Sequence, residues 1–269
     1  MGGISGAVLI LPFQVSVLGF IGPAVSSTNL LFNIVAIPTG VLRYIREKRM
    51  IWPLAWIIVV GTMPGLILGA WFRIRYLPDP ASFKLFAGVV LAYIGVRLLL
   101  DFLKKSAAKA NSNNLFEVSD VHFTFSDLTY RFNGEQFRIQ VWKVAVLSLI
   151  VGMVGGIYGI GGGAIIAPFL VAMFALPVHS IAGVTLFGTF ISSIFGVISY
   201  AGFSAVAKGS SLPVSPDWLL GGMFGLGGAA GMYLGARMQK FIPARIIKGI
   251  LALLVLSVAS RYILDYFIK

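Results

Sequence analysis

The amino-acid sequence predicts an all-α polytopic membrane protein made of two inverted repeats, whose half-helices are broken or re-entrant at glycine-rich turns. A small β-hairpin-like insertion between the repeats is predicted on the cytosolic side. Three observations lead to this fold: the composition, a series of apolar segments and an internal repeat. Hydrophobic residues make up 58% of the chain and charged residues 11%, whereas a soluble domain carries about 25% charged residues. We therefore expect a multi-pass protein of the cell membrane, inner or plasma, embedded in the lipid bilayer.

Six apolar segments are long enough to cross a hydrocarbon core of about 30 Å as helices. They are residues 23–43, 53–72, 81–103, 179–201, 217–237 and 244–268. Three shorter segments flank glycine breaks and are predicted to be half-helices: residues 7–19, 142–157 and 164–175. The first of these has no basic start and no small-residue cleavage site, so we expect it to be retained rather than removed as a signal peptide.

Residues 104–141 differ in character from the apolar segments on either side. Their stretch "VHFTFSDLTYRFNGEQFRIQV" alternates apolar and polar positions and contains Asn133-Gly134, a strong turn signal for a β-hairpin. The chain therefore divides into a first transmembrane repeat at 1–103, a cytosolic insertion at 104–141 and a second transmembrane repeat at 142–269. A plain connector is the simplest role for the insertion.

The two halves of the chain repeat each other in sequence. A shift of 156 positions places Gly3, Ile4, Gly6, Pro12 and Phe13 on Gly159, Ile160, Gly162, Pro168 and Phe169. After a ten-residue insertion in the second half, the glycine stripe 61, 65, 69 falls on Gly227, Gly231 and Gly235. Glycines four residues apart let helices approach closely, so both stripes are predicted to be helix-packing surfaces. The first half has no counterpart of residues 142–157.

The distribution of Lys and Arg orients the two repeats in opposite directions. In the first repeat the basic residues follow segment 23–43, whereas in the second they come one connection later, after segment 217–237. Cytosolic loops are enriched in Lys and Arg. Both groups of basic residues lie in the cytosol when segments 142–157 and 164–175 form a hairpin that enters the membrane and returns to the same side. Residues 43–49, 104–141 and 237–248 are then cytosolic. The exceptions, which would lie outside, are Arg73, Arg75 and Lys84.

Other functional classes fit the sequence poorly. Residues 159–164 match the G-x-G-x-x-G/A pattern of dinucleotide-binding turns, but they follow an apolar run and the next acidic residue is Asp217. There is no cysteine, and His122 and His179 lie in different segments, so we expect no metal site. The net charge of +12 arises at segment ends, which indicates membrane orientation rather than nucleic-acid binding. Without an acid–base constellation or a P-loop, the chain is predicted to be neither an enzyme nor an ATP-driven pump, and to need no cofactor.

The second glycine break is the candidate binding site. Inverted repeats with broken helices are typical of secondary transporters, whose substrates bind near the bilayer midplane. Glycines leave the N–H groups at a helix start unshielded, and the start carries partial positive charge, so the turn can hold an anion. The predicted substrate-binding residues are Gly159, Gly161, Gly162, Gly163, Thr185, Thr189, Asn29 and Asn33.

The polar members of this set recur in both repeats. Thr185 is the repeat equivalent of Asn29, and Thr189 is that of Asn33. Each pair is spaced by four residues and therefore lies on one face of the helix that follows a break. Two plainer roles stay open: the glycines permit a tight turn, and the polar side chains form interhelical hydrogen bonds.

The glycine motifs resemble those of a known family. "GGIYGIGGGAIIAPFL" followed by "AGVTLFGT", with the weaker echo "GGISGAVLILPF" followed by "SSTNLLFN", resembles the TauE/SafE family of sulfite exporters. The resemblance covers both repeats and implies a secondary transporter, an exporter, for small sulfur-containing anions such as sulfite or organosulfonates. The alternative is an anion channel or receptor-like protein on the same scaffold, and homo-oligomerisation is left open. Because Ser5 and Ala7 replace two of the glycines in the first repeat, the second repeat is expected to dominate the site.

Overall fold

The computed structural model of the protein describes residues 6–103, 118–132, 134–206, 213–238 and 244–267. Over these residues the chain forms ten α-helices and three β-strands. In chain order they are α1 (Ala7–Ser16), α2 (Ala24–Ala36), α3 (Pro38–Arg46), α4 (Trp52–Tyr76), α5 (Pro80–Leu103), β1 (Val118–Phe123), β2 (Asp127–Phe132), β3 (Glu135–Gln140), α6 (Val141–Tyr158), α7 (Gly162–Phe174), α8 (Val178–Val206), α9 (Trp218–Met238) and α10 (Ala244–Phe267).

Six helices in the described residues are long and apolar enough to cross a membrane. They are Ala24–Arg46, which combines α2 and α3, and Trp52–Tyr76, Pro80–Leu100, Val141–Tyr158, Ser180–Ser204 and Gly249–Phe267. The chain is therefore a multi-pass helical membrane protein, as predicted, but the set of spans differs. α6, expected to be a short piece, has 18 residues and is about 27 Å long, close to the hydrocarbon thickness. In the predicted span 217–237, the described apolar part is the shorter helix Trp218–Leu234.

The predicted hairpin is part of a small antiparallel sheet. Its strands are ordered β1-β2-β3, and the β2–β3 pair closes at Phe132 opposite Glu135, next to Gly134 with a φ of +83°. Leu128 and Ile139 on one face of the sheet pack into an apolar cluster with the starts of α4 and α6. The Tyr130 hydroxyl lies 3.1 Å from Ser180 Oγ at the start of α8. Burial raises the pKa of Tyr130 to about 12, so this hydroxyl stays protonated.

The glycine stripe of the first repeat packs α4 against α6, as predicted. A methyl group at Gly65 would meet the Leu149 carbonyl of α6, and one at Gly69 would meet the Met153 carbonyl. Glycine is also needed on the facing side of α6, because a methyl group at Gly152 would meet the backbone of Thr62. The two helices therefore touch backbone to backbone, which only glycine allows at these positions.

The equivalent stripe in the second repeat is open, so its predicted packing role is wrong for Gly227 and Gly231. Within the part of the chain that the structure describes, no atom lies within 4 Å of a methyl group placed at either glycine. Gly235 belongs to the part of α9 whose surroundings the structure does not describe. The physical reason follows from the incomplete repeat: α6 covers the stripe on α4, and the described chain has no counterpart of α6 that could cover α9.

The helices α1 and α7 start close together and run in opposite directions. α7 returns toward the sheet, since Leu170 and Leu176 pack in the same cluster as Leu128. α1 starts beside the end of α6, where Tyr158 donates to the Val8 carbonyl at 3.4 Å. At its other end, Ser16 Oγ lies 2.8 Å from the Tyr262 hydroxyl, near the C-terminus of α10. The start of α10 packs on Phe102 at the end of α5, which leads into the insertion. The end of α1 is therefore at the side of the protein opposite the sheet.

Candidate functional site

The site is a buried turn of glycines between α6 and α7. α6 ends at Gly159 in the left-handed conformation, with a φ of +82°, and Gly161 precedes α7 with a φ of +81°. Side chains with a Cβ rarely adopt these conformations, which explains why glycine stands at both positions. Residues 159–163 are all buried. The chain thus breaks a helix inside the protein and starts a new one at Gly162.

α8 packs its polar face against this turn. A methyl group at Gly163 would meet the Thr185 carbonyl and the Thr189 N–H, so the two helices are in backbone contact. A methyl group at Gly161 would lie 3.0 Å from Ser193 Oγ and 3.1 Å from Ser192 Oγ. Two of the predicted site residues, Thr185 and Thr189, therefore do lie beside the turn.

Two serines complete the lining of the turn. Ser192 Oγ accepts a hydrogen bond of 3.2 Å from the Gly162 N–H, one of the groups that a helix start leaves without an intrahelical partner. Ser193 Oγ is buried without a hydrogen-bond partner. Neither serine was in the predicted set, although both lie on the polar face defined by Thr185 and Thr189. The three- and four-residue spacing from Thr189 was the signal that could have added them.

The threonine hydroxyls are engaged within their own helix. Thr185 Oγ1 donates to the Ala182 carbonyl at 3.2 Å, and Thr189 Oγ1 donates to the Thr185 carbonyl at 2.8 Å. Both side chains are almost fully buried. In this conformation Thr189 presents its Oγ1 atom to Gly163 and its methyl group to Gly161, while Thr185 meets the turn through its carbonyl. Either threonine must rotate its side chain before its hydroxyl can donate a hydrogen bond to a bound anion.

The asparagines of α2 connect this helix to both breaks. Asn33 Nδ2 donates to the Ile160 carbonyl in the glycine turn at 2.7 Å. One helical turn earlier, Asn29 Nδ2 donates to the Ala7 carbonyl in the first turn of α1 at 3.0 Å. The Asn29 Oδ1 atom is buried without a hydrogen-bond partner. α2 is further fixed to the end of α6 because Ser26 Oγ donates to the Ile157 carbonyl at 2.9 Å.

The arrangement brings two helix N-termini together in a buried part of the protein. The N-termini of α1 and α7 both lie beside the end of α6, and each helix start carries partial positive charge from its N–H groups. The polar side chains nearby are neutral hydroxyls and amides. No group of three or more potential metal ligands occurs among the described residues. Such a region suits a small anion held by backbone N–H groups and neutral donors.

A multi-pass helical protein with a buried glycine break between two helices is consistent with the architecture of a membrane transporter. The family model described as "Sulfite exporter TauE/SafE" matches residues 1–262. The chain belongs to this family, which confirms the resemblance seen in the glycine motifs and places the protein among multi-pass transporters of the plasma membrane.

Two curated relatives from Bacillus subtilis (strain 168) agree with this assignment. The probable membrane transporter protein YunE is 26% identical over 200 residues, which cover 74% of this chain and 68% of YunE. The probable membrane transporter protein YdhB is 24% identical over 104 residues, which cover 39% of this chain and 38% of YdhB. No solved structure matches the chain.

Proposed function

We propose that the protein is a secondary transporter that exports small sulfur oxyanions such as sulfite, and that the anion binds at the glycine turn. The observation that carries this proposal is the convergence of the α1 and α7 N-termini on one buried region. Backbone N–H groups of the turn would contact the anion directly. Gly159, Gly161, Gly162 and Gly163 leave room for its approach, while Thr185, Thr189, Asn29 and Asn33 surround the turn from two helices.

We also propose that the two repeats, 1–103 and 142–269, have inverted topology with the insertion 104–141 between them on the cytosolic side. The sequence equivalence of Pro12 and Pro168 supports this, since each proline lies inside a short helix that starts near the break. The opposite directions of α1 and α7 agree with it. In this arrangement α6 and α7 form a re-entrant hairpin, and the site lies between the repeats.

The driving force comes from gradients. A negative-inside membrane potential favours the efflux of an anion by about 2.3 kcal/mol per charge for each 100 mV. All nine acidic residues lie in connections or near segment ends, so a buried carboxylate relay is not part of the mechanism. Glu47 illustrates this: partial burial opposes its ionisation, but hydrogen bonds from Arg43 and Arg49 outweigh burial and hold the pKa of Glu47 below its usual value. Protons that move would therefore travel on the substrate.

Flux in proteoliposomes tests the proposed function. We expect saturable flux of sulfite, with sulfate, thiosulfate and methanesulfonate compared side by side in the same preparation. A sulfonate stays ionised, so its transport is expected to respond to membrane potential and not to a proton gradient. Flux that rises without saturation would instead identify an anion channel. Strict proton coupling of sulfonate transport would contradict a proton carried by the substrate, and absence of flux for all four anions would reject the proposed substrate class.

The topology can be tested with single cysteines, because the chain has none of its own. Lys48, Phe125 and Ala175 are exposed, and Ala175 lies between α7 and α8. We expect cysteines at these three positions and at Lys240 to react with an impermeant maleimide from the cytosolic side only. A cysteine at Ser215, before α9, should react from the outside. Outside labelling at Ala175 would show that α6 and α7 are not a re-entrant hairpin, and outside labelling at Lys240 would show parallel repeats.

A further inference from the structure

Arg73 is a fully buried cation near the end of α4. Its Nη2 donates to the Gly22 carbonyl at 2.9 Å, and its guanidinium carbon lies 3.8 Å from the centre of the Phe83 ring. Its Nε and Nη1 groups are buried without a hydrogen-bond partner. The sequence placed Arg73 among the basic residues that break the positive-inside pattern. Its burial removes it from that count, because the rule concerns charges in loops.

A buried guanidinium with unpaired N–H groups lowers the stability of the fold, so we expect it to have a function. Arginine stays charged and offers five N–H donors, and a buried charge is normally paired with an opposite charge. The ionisable groups close enough to influence Arg73 are Tyr200 and Asp79. The Tyr200 hydroxyl donates to the Gly156 carbonyl, and Asp79 Oδ2 accepts from the Ser82 N–H at the start of α5. Neither group hydrogen-bonds the Nε or Nη1 atom of Arg73.

Arg73 lies between the glycine turn and the side of the protein opposite the sheet. Toward the turn, the Phe83 ring lies 6.5 Å from the ring of Tyr158, the last residue of α6. Tyr200 forms a second connection, because its hydroxyl is bonded to α6 at Gly156. Toward the other side, Gly22 belongs to the connection between α1 and α2. Arg73 is therefore linked both to the end of α6 and to the connection between α1 and α2.

We propose that the unpaired N–H groups of Arg73 form a second anion site in series with the glycine turn. Its ligand class is small oxyanions that accept hydrogen bonds from a guanidinium, such as sulfite, sulfate and short sulfonates. The substrate class rests on the proposed function. The positive charge of Arg73 attracts the anion from the turn, and the passing anion accepts hydrogen bonds from Arg73. This role explains why a buried cation has two nitrogen atoms without a hydrogen-bond partner.

The test compares Arg73→Met and Arg73→Lys with the control Arg97→Met. Arg97 is a matched control, because its Nη2 also donates to a backbone carbonyl, that of Pro168, at 2.9 Å. The readout is the sulfite concentration that gives half-maximal thermal stabilisation of purified protein in detergent, in gluconate buffer. We expect this concentration to rise at least tenfold in Arg73→Met and by a smaller factor in Arg73→Lys, which keeps the charge but loses the planar fork. Arg97→Met should stay within twofold of the wild type.

The outcomes separate this inference from the proposed function. Sulfite stabilisation that is unchanged in Arg73→Met overturns the Arg73 site, while saturable sulfite flux in the wild type would still support transport. If Arg73→Met does not purify as one folded species, Arg73→Lys decides: a half-maximal concentration equal to that of Arg97→Met overturns the site. A wild type that no oxyanion stabilises overturns both proposals.

Discussion

Gly163→Ala is expected to abolish saturable sulfite flux and to lower the free energy of unfolding by about 3 kcal/mol, the upper end for overpacking. The new methyl group would meet the Thr185 carbonyl and the Thr189 N–H of α8. Both groups belong to the backbone, so no side-chain rotation can make room. α7 would have to move away from α8, and the glycine turn would lose its polar lining. Flux in proteoliposomes and thermal unfolding in detergent measure the two effects.

Two other glycines provide graded controls. Gly227→Ala places its methyl group where nothing lies within 4 Å, so a change in stability of no more than about 0.5 kcal/mol is expected. Gly162→Ala would bring its Cβ to 2.6 Å from Thr62 Cγ2, a side-chain atom, and should have an intermediate effect. Adding Thr62→Ser removes that methyl group and should restore part of the loss. Wild-type flux and stability in Gly163→Ala would mean that α7 and α8 are not in contact at this point.

The sequence predicted the helices and the glycine turn because both leave local signals. The lengths of apolar runs identified five of the six candidate spans in the described residues, whereas α6 was expected to be shorter. Glycines at a break identified positions such as Gly159 and Gly161 that need a positive φ. The spacing of Thr185, Thr189, Asn29 and Asn33 also predicted that four polar residues from two helices would lie near the breaks. These are properties of single segments, so they can be read without knowing which helices are neighbours.

What could not be predicted depends on neighbours and on hydrogen-bond direction. The stripes on α4 and α9 have the same glycine spacing, yet only that of α4 is covered, because α6 packs on it. Residue spacing does not specify where a hydroxyl proton points, so the bonds of Thr185 and Thr189 to their own helix were not foreseen. The burial of Arg73 is a tertiary property as well, since the residue sits in an ordinary basic end of an apolar segment.

Asn33→Leu is expected to raise the sulfite concentration for half-maximal flux at least tenfold, with a loss of stability of about 1–3 kcal/mol. Leucine keeps the branched shape of asparagine but removes the amide that donates to the Ile160 carbonyl at 2.7 Å. That carbonyl lies within the glycine turn. Once released from Asn33, its oxygen is free to turn toward the bound anion, which it would repel, and the N–H groups of the turn would lose their fixed direction.

Asn29→Leu and Ser199→Ala are the matched comparisons for this variant. Asn29 makes the equivalent bond to the Ala7 carbonyl of α1, in the repeat that has fewer glycines at its break, so a smaller change in half-saturation is expected. Ser199 is partly exposed and donates to the Phe195 carbonyl of its own helix, and its loss should change neither flux nor stability. Flux is measured only on protein that elutes as a single folded species, which separates binding from unfolding. If the sulfite concentration for half-maximal flux is unchanged in Asn33→Leu but rises in Asn29→Leu, the anion binds at the start of α1 and not at the turn before α7.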